Sequence, residues 1–316
     1  MNQYPVNSVS YYFDRFITQC KIKNLATSTI KYYKENFAIF RKFHNDEDIR
    51  TISQENIDNY ILYLKGLTIS EISVNTNLRA IRAIVNYWAE IDAITPISIK
   101  QIKAQKKIKE TFTNTQLQKL LKRPTKKCSF PTFRNWTIVN FLLGTGARAN
   151  SVIHVRVCDI DFDNLTIWIN NTKSKKDTSI PMSLTLEPIL REYLHHRRPI
   201  ADNDYFFVNE DGSKMTVTAL SRTIRRYNLR KGFNNGSLHI YRHTFAKLWI
   251  LNGGDLFSLQ KILGHTNMNT VKEYVEMFGN DLTKTYSDHN PLDKVRAERI
   301  KMDREYKARY RGKKLY

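Results

Sequence analysis

Across 316 residues, 51 Lys+Arg stand against 30 Asp+Glu, a formal net charge of +21. A hydrophobic content of 41% excludes disorder, because such a chain can bury real cores. A globular protein this basic attracts polyanions, with nucleic acid foremost; non-specific RNA binding is the plainer alternative.

Residues 6 to about 92 carry apolar residues at helical spacing. Val9, Tyr12, Phe13, Phe16, Ile17 and Cys20 mark a first helix. A second starts near Thr27 or Ser28 and buries Ile30, Tyr33, Phe37 and Phe40. A third follows Ser53, with Ile57, Tyr60, Ile61 and Leu64 inward and Gly66 as a stop. A fourth runs from about Asn75 with Leu78, Ile81, Ile84, Val85 and Trp88 inward. Aromatics at this spacing read as core rather than as base-stacking platforms. The segment predicts one all-α domain over residues 1–100. The lysine-rich run KQIKAQKKIKE (100–110) reads as a basic linker, placed at 101–111, able to cross a DNA backbone.

Thr113 with Gln116 forms a capping box that opens a second domain, residues 112–280. Phe133 to Leu143 is strongly apolar and predicts a helix ended by Gly144. The period then changes, and residues 155–162, 165–169 and 178–182 predict three short strands. Asp163-Asn164 is the first turn and Lys173 to Asp177 the second. Helices resume over 186–198, 216–230, 238–251, 255–263 and 269–278, with Gly253-Gly254 and Gly264 as helix ends. Residues 281–316 form a polar, basic extension. The fold class expected is mainly α: a helical N-terminal domain and a mostly helical α+β domain with a small three-stranded antiparallel sheet.

Cys20, Cys128 and Cys158 make no C-x-x-C pair and no even framework, so they read as small apolar residues in a reducing compartment. Asp14 and Arg15 interrupt the first apolar segment, leaving no signal core, and no stretch approaches a membrane span. A cytoplasmic protein with no membrane partner is expected.

Single motifs are weak here. His239-x-x-Arg242 has a double in His195-x-x-Arg198, which sits at a basic helix end where charge suits the helix dipole. Arg148 alone reads as a surface arginine after a helix stop. Lys173 shares its turn with Lys175 and Lys176. His239 reads equally as a core histidine, His265 as a helix cap, and Tyr274 as core beside Val271, Val275 and Phe278; Tyr286 is a rival nucleophile. Asp159, Asp161 and Asp163 alternate like metal ligands. An EF-hand loop needs Gly at Asn164 and Glu at Asn170, so the match fails and a strand with an Asp-Asn turn is expected. There is no other carboxylate cluster for a two-metal nuclease and no Walker A loop. No metal and no cofactor are therefore expected.

Order and spacing add what single motifs lack. TGAR (145–148) resembles the first arginine box of the tyrosine recombinase (phage integrase) family. NTKSKKDTSIPM (171–182) is similar to its β-hairpin with a catalytic lysine. SLHIYRHTFA (237–246) resembles its H-x-x-R box, and LGHTNMNTVKEYVEMF (263–278) its L-G-H segment with the tyrosine nine residues on. The N-terminal helices resemble the family's core-binding, SAM-like domain, in a two-domain form without an arm-binding domain. The resemblance implies six catalytic residues: Arg148, Lys173, His239, Arg242, His265 and Tyr274. Lys173 is favoured over its neighbours because it matches the family position before Pro181. One departure is Ser151, at a position three after the first arginine where many members carry an acid.

The chemistry explains these residue types. A phosphodiester gathers negative charge in its transition state, and two guanidiniums can fork onto its oxygens. A tyrosine ester stores the bond energy for rejoining. A free phenol titrates at about 10, and nearby cations are expected to lower that. The resemblance gives Lys173 the part of general acid to the leaving 5′ oxygen. It implies a site-specific DNA recombinase acting through a 3′-phosphotyrosine, integrating or excising a mobile element in the bacterial cytoplasm at the nucleoid. The implied partners are double-stranded DNA, a homo-tetramer on two sites, and accessory DNA-bending proteins in some systems. The alternatives are a chromosome-dimer-resolving recombinase, a topoisomerase with the same chemistry, and a non-catalytic DNA-binding protein on the same scaffold.

Overall fold

The computed structural model describes residues 4–45, 48–105, 110–171, 176–234, 237–264 and 268–278. The chain divides into two compact units, residues 1–107 and 108–316.

The first unit is all helix. It comprises α1 (Val9–Ile22), α2 (Thr27–His44), α3 (Gln54–Gly66) and α4 (Glu71–Glu90). Its core is the set the apolar spacing predicts: Phe13, Phe16, Phe37, Phe40, Tyr60, Leu64, Leu78, Ile81, Ile84 and Trp88 are all buried. Helix starts are written in side chains. Ser8, Ser53 and Ser70 each accept a backbone N–H of the first turn, and Ser53 with Asn56 makes a full capping box. The Ser70 cap starts α4 earlier than Asn75, where the apolar period begins. The buried Tyr60 hydroxyl donates to Asn77 at 2.7 Å, and Asn77 donates on to the Asn36 carbonyl, so a polar pair inside the core is satisfied.

The basic run does not leave this unit as a free connector at residue 100. Ile97 and Ile99 are buried in its core, Ile102 packs against it, and Asn75 exchanges two hydrogen bonds with the backbone of Ile102. Isoleucines interspersed among the lysines let this irregular segment keep apolar contacts, which a count of charge conceals.

The second unit opens with α5 (Asn114–Leu121), whose Thr113–Gln116 capping box is formed in both directions. Helix α6 (Phe130–Thr145) is apolar around most of its circumference, and such a helix must be enclosed. It packs against α5, α8 (Leu186–Arg197), α9 (Val217–Arg230) and α10 (His239–Leu251). Gly144 does not end α6. It lies inside the helix, where a Cβ would sit 3.1 Å from Leu186, and the stop falls at Gly146, in the left-handed region at φ +62. A Cβ on Gly146 would meet Phe245 at 2.6 Å and Leu263 at 2.8 Å. Gly146→Ala therefore combines left-handed strain with a clash. It is expected to cost at least about 1–3 kcal/mol of unfolding free energy in urea titration; an unchanged midpoint would contradict this.

A short helix, α7 (Ala149–Val152), leads to a three-stranded antiparallel sheet in the order β1 (Ile160–Asp161), β2 (Thr166–Asn171), β3 (Lys176–Pro181). The fold class is thus the mainly α arrangement the sequence predicts. Only the first strand differs. Residues 155–162 do not form one strand, because Val157–Asp159 turns into a 3-10 helix in which Asp159 accepts the Arg156 N–H. The N–H groups of Val157 and Cys158 go instead to the carbonyls of Asp204 and Asp202. This leaves Cys158 exposed rather than in a core. The Asp161 carboxylate accepts from the N–H groups of Asp163 and Asn164, closing the turn into β2.

Two clusters share the second unit. The larger surrounds α6, with Phe141, Leu190, Tyr193, Phe206, Phe207 and Tyr241 fully buried. The smaller holds Ala246, Leu259, Leu263, Val271 and Tyr274, built by α10, α11 (Leu256–Leu263) and α12 (Asn269–Phe278). Among the described residues no helix is long and apolar enough to cross a membrane.

Candidate active site

The end of α6, the middle of α10, the end of α11 and the body of α12 meet at one place. Arg148 arrives first, as the residue that precedes α7, three positions after the last residue of α6. Its guanidinium donates to the carbonyl of Gly264 at 3.1 Å. Ser151, at the position where an acid was expected, is buried in α7. A backbone carbonyl of the α11 terminus orients the arginine in this chain.

Arg242 lies one turn into α10 and is buried, at 5% exposure. It donates to the Gly146 carbonyl at 2.8 Å and to the Leu263 carbonyl at 2.7 Å. These carbonyls fix its direction without cancelling its charge. Burial, and then the like charge of Arg148, hold its pKa down to about 10, so it stays charged at neutral pH. Two guanidiniums forced together raise the local positive potential, and an anion placed between them relieves it.

Tyr274 comes from α12 and is only 2% exposed. Arg242 hydrogen-bonds its hydroxyl. The expectation that cations lower the phenol's pKa needs correction. Burial raises it by more than Arg242 and Arg148 lower it, and Glu273 adds to the rise. The phenol of this DNA-free protein is therefore protonated and sequestered. His239 stands at the exposed first turn of α10, not in a core. Partial desolvation, then Arg242 and Arg148, hold its imidazole below the ordinary value, so it is neutral at pH 7.

One residue escaped the sequence reading. His243 places Nδ1 2.8 Å from the Tyr274 hydroxyl, and its ring lies 6.2 Å from that of His239. The available signal was the four-residue spacing from His239, which puts both rings on one face of α10. Four of the six expected residues, Arg148, His239, Arg242 and Tyr274, are thus brought together. Lys173 and His265 lie outside the described residues, as do Lys175 and Tyr286. Lys173 falls in the connection between β2 and β3, and His265 directly follows Gly264. Among the described residues no group of three or more His, Cys, Asp or Glu is placed to hold a metal ion.

Comparison with known proteins assigns the chain to a family. The family model described as the phage integrase family matches residues 110–280, and that of the phage integrase N-terminal SAM-like domain matches residues 12–94. The tyrosine recombinase XerC of Staphylococcus aureus is 26% identical over 294 residues, covering 90% of this chain and 98% of the relative. Among solved structures, the XerH site-specific recombinase bound to a palindromic difH substrate matches with TM-score 0.70 at 22% identity, over 84% of this chain and 81% of that one. A lambda integrase dimer bound to a COC′ core site matches with TM-score 0.68 at 15% identity, over 87% and 97%. The fold is shared with both. With the first family model covering more than half of its length, the chain belongs to the phage integrase family, as an enzyme of the tyrosine-recombinase type that exchanges DNA strands.

Proposed function

We propose that this protein cuts and rejoins double-stranded DNA at specific sites, with Tyr274 as the nucleophile. The observation that carries the reading is the approach of two guanidiniums, Arg148 and Arg242, to one tyrosine hydroxyl in a largely buried site. A phosphodiester oxygen between the guanidiniums would have its developing charge met by preorganised donors. The phosphorus would then lie beside Oη. Neutral His239 adds a hydrogen bond from the exposed rim. His265 adds another, and Lys173 protonates the leaving 5′ oxygen; both roles are carried over from the resemblance. Attack forms the Oη–P bond and breaks P–O5′, and the reverse step restores the DNA without an external energy source.

For the biological role, the resolving alternative gains over integration of a mobile element. The curated relatives matched along almost their whole length are named XerC, whereas lambda integrase matches as a fold at 15% identity. A tetramer on two sites fits either role. Recognition of the duplex by both units is carried over from the resemblance, and the net charge supports phosphate contacts through Lys and Arg.

The experiment starts from duplexes that the protein itself selects from a randomised pool. A nicked version of the selected site, incubated in excess EDTA, is expected to trap a covalent adduct on the peptide containing Tyr274. Failure to enrich any site, or tight binding without adduct, would leave only a DNA-binding protein. Relaxation of plasmids lacking the site would favour a topoisomerase.

A further inference from the structure

We propose that His243 is the proton acceptor for Tyr274, a catalytic residue of this chain beyond the six that the sequence points to. The inference rests on the reading of Tyr274 as nucleophile.

The argument is one of donors and acceptors. Arginine only donates, so Arg242 occupies a lone pair of the phenol oxygen and leaves the phenol proton to find another partner. Nδ1 of His243, at 2.8 Å, is that partner. In the tautomer that carries its proton on Nε2, the hydroxyl donates to Nδ1, and the proton already lies along the line of transfer. A neutral imidazole has a proton affinity suited to work near pH 7, whereas neither guanidinium can take a proton. His243 is half-buried on the rigid body of α10, one residue from Arg242. The acceptor and Arg242, one of the two cations that stabilise the phenolate, therefore share one helix. Helix α10 also packs against α12, which carries Tyr274.

The step balances. As Oη attacks phosphorus and the Oη–P bond forms, the phenol proton passes to His243 Nδ1. The P–O5′ bond breaks, and the 5′ oxygen takes its proton from the general acid. In rejoining, the 5′ hydroxyl returns its proton to the group that served as general acid as the O5′–P bond forms, the Oη–P bond breaks, and His243 returns its proton to the leaving phenolate. Burial that raises the phenol's pKa makes an internal acceptor more valuable, because water and hydroxide reach the oxygen poorly.

The test uses the full chain on the nicked selected site, in single turnover at saturating protein so that altered affinity does not enter. His243→Asn keeps an amide near the Nδ1 position but cannot accept a proton. Adduct formation is expected to fall by about 10²–10⁴-fold. The decisive comparison replaces Tyr274 with a ring-difluorinated tyrosine, whose more acidic phenol needs less help. With that nucleophile the His243→Asn deficit is expected to shrink by about tenfold or more. A purely structural role would leave the deficit the same with both nucleophiles, and that result overturns the proposal. So does cleavage by His243→Asn within about threefold of the unchanged protein. Should His243→Asn fail to fold, His243→Gln is read the same way. The two readings fail separately: adduct in Tyr274→Phe removes the nucleophile, whereas normal cleavage by His243→Asn beside an inert Tyr274→Phe removes only the acceptor.

Discussion

Tyr274→Phe is expected to reduce covalent attachment to DNA to background while leaving site binding nearly intact. The change removes one oxygen. The ring stays among Ala246, Leu259, Leu263 and Val271, so the small cluster keeps its apolar area. What is lost in the fold is the hydroxyl's pairing with His243, worth about 0.5–1.5 kcal/mol, and with charged Arg242, worth about 1.5–3 kcal/mol. That is too little to unfold a domain with a second, larger core. Binding is dominated by phosphate contacts spread over a chain of net charge +21, and a neutral phenol contributes little to it. A filter-binding curve and a denaturing gel on the same nicked site separate the two quantities. Adduct that persists, or that moves to Tyr286, would remove Tyr274 from the chemistry.

Arg242→Ala should be severe in two ways that can be measured apart. The first is catalytic: losing one preorganised cation at the reacting phosphate costs about 10²–10³-fold in cleavage. The second is structural, because the same side chain holds the carbonyls of Gly146 and Leu263. Leaving them without a donor costs about 1–3 kcal/mol each, less whatever water restores. Arg242→Lys separates charge from shape. It keeps the cation, but one ammonium cannot hold both carbonyls and a phosphate in a planar fork. Lysine should therefore rescue poorly in single-turnover cleavage. Near-normal cleavage by Arg242→Lys would show that the fork is dispensable and that net charge suffices.

What was readable in the sequence was mostly local. The Thr113–Gln116 box, the apolar spacing of α1 to α4 and the helices from Leu186 to Phe278 depend on neighbours within a turn, and these formed as expected. The misreadings came from distant partners. Residues 155–158 have strand-like composition, but the N–H groups of Val157 and Cys158 and the carbonyl of Val155 find residues 202–206 rather than β2. Gly144 resembles a stop, yet it serves the close approach of Leu186, forty-two positions on. The site divides along the same line. Arg148, His239, Arg242 and Tyr274 were legible because order and spacing marked them. His243 was not, because its partner lies 31 residues away. Nor was the upward push on the Tyr274 phenol, since residue types report charge but not the depth at which it sits.

The smaller of the two cores in the second unit bears on how firmly α12 is held. Within the described residues, Val271 and Tyr274 of α12 are buried with residues of α10 and α11, apart from the packing around α6. A helix packed in a cluster apart from the larger core is expected to open at lower cost than α6, and slower hydrogen exchange in α12 than in α6 would contradict this. Folding would then set two thresholds in one domain, a higher one for the core around α6 and a lower one for the helix that carries Tyr274.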